Sequence, residues 1–195
     1  MLFRSLAIGL ASARHAGPRP LSWAAAAVIE GVRGVPLVSL LFVAAFVLPA
    51  FTPQPDSLSL LCRATLVMSL FSAAYLAEIL RAGLQTVPAS QAEAASTLGL
   101  SWWGTQWRVV WPQACRAVLP PLTSHAIGLF KESSLVLVIG LHELTGGLSL
   151  SLGGDPQWRP FYFEAYLFVG AVYGLACWGL SAWGARAERV WVQAA

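Results

Sequence analysis

The sequence predicts an all-α, polytopic membrane protein, and three observations carry that prediction. Hydrophobic residues fill 57% of the 195 positions and charged residues only 11%, about half the charge of an ordinary soluble domain. Mean hydropathy is +0.65. Long uncharged runs recur along the chain, and nine Trp with four Tyr supply rings of the kind that settle at membrane–water interfaces. The expected form is a helical bundle of about four full transmembrane helices, preceded by the remnant of a fifth.

The N-terminal stretch MLFRSLAIGLASA (residues 1–13) is too short to cross a bilayer and carries Arg4. Ala11-Ser12-Ala13 would also suit a signal-peptide cleavage site, although the apolar centre is short for one. Residues 1–34 are therefore read as a first-helix remnant and an entry segment. Residues 35–52, VPLVSLLFVAAFVLPAFT, are uncharged and reach roughly 27 Å as a helix. A turn at 53–57 closes them. The second span, 58–84, is interrupted by Arg63, Glu78 and Arg81. Residues 85–114 form a polar intermission punctuated by Pro88, Gly99, Gly104 and Pro112. The third span, 117–141, is apolar apart from His125, Lys131 and Glu132. A glycine-rich loop follows, and the last span, 165–185, holds no charge.

Basic residues set the expected threading. Arg4, Arg14, Arg19 and Arg33 precede the first full span, Arg81, Arg108 and Arg116 frame the intermission, and Arg186 and Arg189 follow the last span. Alternate threading puts all of these on one side. Arg159 alone faces Asp56, Glu143 and Asp155 on the other. The intermission and the C-terminus are thus expected to be cytoplasmic. A net charge of +3 without a basic run gives no reason to expect nucleic-acid binding. Cys62, Cys115 and Cys177 lack metal-ligand spacing and read as small packing residues.

Within the intermission, Ser90 and Glu93 have capping-box spacing, which predicts a helix start. Gly99 suits a left-handed end to that helix. Ala92, Ala94 and Ala95 keep it slender, the shape of a peg for a groove in another protein. Trp103, Trp107 and Trp111 recur every four residues on one face of the next segment, and Pro112 is expected to stop it. An ordinary amphipathic connector between two spans explains the same features.

Glu93-Ala94-Ala95, Gly99, Val109 and Pro112 resemble the EAA loop of ABC importer permeases. That loop reads Glu-Ala-Ala, three residues, Gly, nine residues, an aliphatic residue, two residues, Pro. Trp111 departs from the usual Leu before the Pro. Residues 30–36, EGVRGVP, are similar to the family's entry into its second helix, and 75–81, YLAEILR, to its third. The stretch 129–144 is similar to the fourth helix, and 155–166 resembles the general L-amino-acid branch in particular. The resemblance implies a permease subunit of an amino-acid importer in the bacterial inner membrane, lacking most of the family's first helix. It further implies two ABC ATPase subunits, a second and non-identical permease, a periplasmic amino-acid-binding protein and an amino-acid substrate. The alternative is an inactive permease fragment or a non-transporting scaffold. No Walker A sequence is present, so ATP hydrolysis is expected in a separate subunit, and no cofactor is expected.

Ionisable groups inside the spans mark pathways or partners. Glu78 and Arg81, three residues apart, suit either an ion pair at a helix end or contact with substrate. Lys131 and Glu132 are neighbours that point apart. They suit the carboxylate and ammonium of an amino acid, or cross-bridges between helices. Ser134 shares a face with Lys131. The family usually has Lys-Asp-Thr-Ser where Lys131-Glu132-Ser133-Ser134 stand. Gly170 and Gly174 form a GxxxG suited to close helix approach. An intramembrane enzyme finds no support, because Ser124 and His125 face apart and no nucleophile–base pair is visible.

Overall fold

The computed structural model describes residues 2–51 and 58–193, and among these there are helices and no strand. Three helices are long and apolar enough to cross a membrane: Leu60–Thr86, Trp102–Ile139 and Pro156–Val190. A bent pair, Arg19–Arg33 with Leu37–Phe51, makes a fourth if taken as one span. Together with a helix that precedes them, this is the predicted architecture.

That preceding helix is α1 (Leu2–Ala16), which forms a hairpin with α2 (Arg19–Arg33). Gly17 and Pro18 turn the chain between them. Ala11, Ile29 and Ala77 are buried together and seat the hairpin on α4 (Leu60–Thr86). After α2 the chain bends by 95°. Pro36 has no N–H to donate and disfavours helical geometry at Val35, which favours a break there. Helix α3 (Leu37–Phe42) then continues through a π turn, Val43–Val47, and a 3-10 turn, Leu48–Phe51. The stretch expected as the first full span, 35–52, thus begins at this bend. Thr52, and the expected turn at 53–57 with Asp56, lie outside the described residues.

Helix α4 is the centre of the bundle. Ser59 caps it, accepting from the Cys62 N–H at 3.2 Å, and 27 residues extend about 40 Å. Ala73, Ala74 and Ala77 are fully buried, which lets neighbouring helices approach closely. Leu37, Leu41, Ala64, Phe71 and Ile139 form the cluster toward its start. Toward its end, a Cβ on Gly83 would come within 3.0 Å of the Ala114 carbonyl, so α4 meets the next long helix at near-backbone distance.

That helix runs without interruption from α6 (Trp102–Thr105) through a π turn, Gln106–Val110, into α7 (Trp111–Glu132) and a 3-10 turn, Ser133–Ile139. Pro112 does not stop it, contrary to expectation. The π turn directly upstream relaxes the ladder where the proline lacks a donor and its ring would crowd the preceding turn. Gly140, at φ +84°, ends the helix instead.

The glycine-rich loop is also helical, as α8 (Leu144–Gly154). Glu143 starts it, its carboxylate accepting from the N–H groups of Thr145 and Gly146 at 3.0 Å each. The Tyr173 hydroxyl donates to the same carboxylate at 2.7 Å, fastening α8 to α9 (Tyr162–Gln193). Burial pushes the Glu143 carboxyl up, but these donors outweigh it and hold it below the ordinary carboxylate value. A depressed folded value means the contribution is complete above about pH 4.3 and fades as pH falls through the folded value. Glu143→Gln is expected to lower stability by about 1 kcal/mol at neutral pH. Thermal unfolding in detergent should show that deficit at pH 7 and its disappearance in acid.

Candidate functional site

Between α4 and the long helix stands α5 (Ala89–Thr97). Pro88, at φ −61° and ψ 140°, occupies its N-cap without a side-chain bond. The expected capping box is therefore absent: with Pro88 as N-cap the helix starts two residues early, and Ser90 falls inside the first turn, where its hydroxyl cannot cap. The C-terminal expectation holds. Gly99 is left-handed at φ +81°, and its N–H donates to Ser96 O at 3.0 Å while Leu100 N–H donates to Ala95 O at 3.1 Å. This pair of bonds is the Schellman arrangement. The Ser96 and Thr97 hydroxyls donate to the Glu93 and Ala94 carbonyls at 2.7 Å, so the last turn is well satisfied.

One face of α5 is anchored and the other is bare. Ala95 is buried, and Ala92 packs with Val87 and Trp111 on the cluster of Leu84, Val110 and Ala114. Glu93, Ala94 and Gly99 are exposed, and Leu98 is 83% exposed at the helix end. Of the other two predicted loop residues, Val109 is half-buried with its carbonyl accepting from Gln113 Nε2 at 2.9 Å, and Pro112 is exposed. Leu98 is missed by the motif, which assigns no role to its position. Trp103 and Trp107 are exposed on the adjoining segment, and the rings of Trp107 and Trp111 stack at 6.0 Å.

The ionisable residues separate into two groups. Glu78 accepts from Arg81 Nε at 3.0 and 3.1 Å and from Arg14 on α1 at 3.1 Å. Arg14 also donates to Glu30 on α2 at 2.7 Å. The pair expected from three-residue spacing is thus part of a four-residue chain of charges joining α1, α2 and α4. Neither Arg14 nor Glu30 has a sequence signal, since the contacts span 16 and 64 positions. Lys131 is exposed and Glu132 half-buried at the other end of α7, away from Glu78. Ser134 is half-buried there, its hydroxyl donating to Lys131 O at 2.8 Å. The structure therefore does not bring Glu78 together with Lys131, Glu132 and Ser134.

A polar contact also crosses the seam between α4 and α7. Ser72 Oγ and His125 Nε2 are 3.0 Å apart, and the His125 ring stacks on Tyr75 at 5.8 Å.

A family model described as the binding-protein-dependent transport system inner membrane component matches residues 5–183. The chain belongs to this family. Curated relatives of this family member include a glutamate/glutamine/aspartate/asparagine transport system permease protein of Rhodobacter capsulatus. It is 41% identical over 148 residues, covering 76% of this chain and 34% of the relative. An inner membrane amino-acid ABC transporter permease protein of Escherichia coli K12 is 42% identical over 149 residues, covering 76% and 40% respectively. The chain thus spans well under half the length of these two relatives. A glutamate/aspartate import permease protein of Escherichia coli O157:H7 is 36% identical over 169 residues, covering 84% of this chain and 74% of the relative. A crystal structure of an amino acid ABC transporter with histidines superposes with a TM-score of 0.82 at 30% identity, over 94% of this chain and 83% of that one.

Proposed function

We propose that this transport-system membrane component is a permease subunit of an ATP-driven importer of amino acids. The observation that carries the reading is α5: a short helix seated on the bundle through Ala92 and Ala95, presenting Glu93, Ala94, Leu98 and Gly99 outward. Force on that exposed face passes directly to α4 and α7, because the Leu84–Val110–Ala114 cluster below it belongs to both long helices and the turn between them. Residues 85–114 are the ATPase-coupling loop, with Glu93, Ala94, Ala95, Gly99, Val109 and Pro112 as its motif.

In this reading two ABC ATPase subunits receive the coupling loops and hydrolyse ATP. A second, non-identical permease completes the pathway, and a periplasmic binding protein delivers the amino acid. The α5 end of the bundle faces the cytoplasm. Arg81, Arg108, Arg186 and Arg189 support that orientation, whereas at the opposite end Glu132, Glu143, Asp155 and Glu164 outnumber Arg63, Lys131 and Arg159. The exposed Trp103 and Trp107 rings lie at the inner membrane's lipid interface. Lys131, Glu132 and Ser134 on one side, and Glu78 on the other, remain candidate pathway residues.

The names of the relatives direct the assay to L-glutamate, L-glutamine, L-aspartate and L-asparagine. The chain, assembled in liposomes with the ATPase, permease and binding protein encoded beside it, should accumulate at least one labelled acid of the four only when ATP is enclosed. Failure to accumulate any of them would contradict the reading.

A further inference from the structure

The charges around Glu78 do not balance. Arg14 and Arg81 are matched by Glu30 and Glu78. Arg33 is a third guanidinium, beside Glu78 in the same groove, and among the described residues it makes no ion pair of its own. Its guanidinium carbon lies 5.0 Å from the centre of the Tyr75 ring, a cation–π contact that orients the group without neutralising it.

Its depth makes that surplus consequential. Tyr75 precedes the end of α4 at Thr86 by 11 residues, about 16 Å along the helix. The Arg33 guanidinium, exposed on the groove beside Tyr75, therefore stands about that far from the α5 end of the bundle. An ionised group at membrane depth faces a pathway or a partner. Two further features accompany it. The chain breaks immediately after Arg33, bending by 95°, and irregular backbone at membrane depth persists only when protein covers it or a watery cavity receives it. A cavity of about 260 Å³ lies there, lined by Arg33, Tyr75, Glu78, Ile79, Val118 and Pro121 among others. The last carbonyls of α2 also lack helical donors at the break, which suits a hydrated site.

We propose that Arg33 binds the α-carboxylate of the transported amino acid within the pathway, with Tyr75 holding the guanidinium in place. The proposal rests on the amino-acid import reading and adds a residue to it. Arg33 offers planar, paired donors that match a carboxylate. Glu78 is occupied by two guanidiniums and takes no part in this contact. Lys131 is the competing cation for the same role.

The test uses the complete complex in liposomes and whichever of the four acids it imports. Transport turnover is measured at saturating liganded binding protein, alongside ATP hydrolysis, for Arg33→Gln, Arg33→Lys and Lys131→Gln. Arg33→Gln is expected to lower turnover about ten-fold, the scale of one charge-assisted contact, while ATP hydrolysis continues. The ATP consumed per amino acid then rises about ten-fold, and Arg33→Lys, which keeps the charge without the paired donors, recovers only part of the loss. A fall in turnover confined to Lys131→Gln, with Arg33→Gln at wild-type turnover, would assign the carboxylate to Lys131 and overturn the proposal. Wild-type turnover in Arg33→Gln overturns the proposal, and so does a parallel fall of transport and hydrolysis, which marks a packing role. If Arg33→Gln does not assemble, phenylglyoxal modification of the wild-type complex decides. Saturating amino acid should slow modification of Arg33 at least five-fold and its α-carboxamide should not, while equal rates overturn the proposal. A wild-type complex that imports none of the four acids removes the import reading and this proposal with it. Import that is indifferent to Arg33 removes the proposal alone.

Discussion

Gly99→Asp is expected to abolish most ATP-driven uptake while leaving the chain folded and abundant in the membrane. The position is left-handed, at φ +81°, where an L residue costs about 1–2 kcal/mol and Asp is among the better tolerated. A Cβ there meets no atom within 4 Å, so no clash adds to that cost. The damage falls on the exposed face of α5. A carboxylate at a helix C-terminus opposes the macrodipole, and it alters the surface beside Glu93 and Leu98 that the proposed ATPase contact requires. Loss of a central contact of this kind costs about 2 kcal/mol or more, roughly thirty-fold in affinity. Uptake of labelled amino acid at matched abundance checks it, with Gly99→Ala as a milder change that bears the backbone cost without the charge. Unchanged uptake in Gly99→Asp would contradict the coupling assignment.

Gly184→Leu should cause the largest loss of stability, through the contact between α9 and α7. A Cβ on Gly184 would lie only 2.9 Å from the Thr123 Cβ. Thr123 cannot easily turn away, because its hydroxyl donates to Leu119 O at 3.1 Å. Overfilling a packed contact costs about 1–3 kcal/mol, and a complete leucine belongs at the upper end. The expected fall in melting temperature in detergent is about 5 °C or more. Gly170→Ala and Gly174→Ala should not lower the melting temperature, since nothing lies within 4 Å of either position and alanine is the better helix former. Equal melting of Gly184→Leu and wild type would mean that α7 and α9 do not meet as described.

That contrast shows where sequence reasoning runs out. GxxxG spacing singles out Gly170 and Gly174, yet Gly83 and Gly184 make the close helix approaches within the chain. Spacing cannot reveal which side of a helix faces a neighbour when α9 is apolar over most of its circumference. Local signals fared better where one residue's backbone decides. Gly99 is left-handed as its position predicts, and Glu78 meets Arg81 because three residues place them on one face. They failed where two local preferences compete. Pro88 overrides the Ser90–Glu93 capping box by starting α5 earlier, and the π turn at Gln106–Val110 carries the helix through Pro112. The glycine-rich stretch at 145–157 reads as a loop because intrinsic propensity favours one, yet most of it is α8. Glu143 and Tyr173, 30 positions apart, hold it as helix through a contact that only the folded chain possesses. The same holds for Arg14, Glu30 and Arg33. Their setting depends on the α1–α2 hairpin lying along α4, and no motif encodes that placement.

The central claim is that α5 docks an ATPase. The most direct measurement is affinity purification of the tagged chain in mild detergent, after expression with its genomic neighbours. The account predicts recovery of an ABC ATPase with the wild-type chain and its loss when Glu93→Arg is combined with Gly99→Asp. Clean recovery of the folded chain without an ATPase, or equal recovery from the double variant, would contradict it.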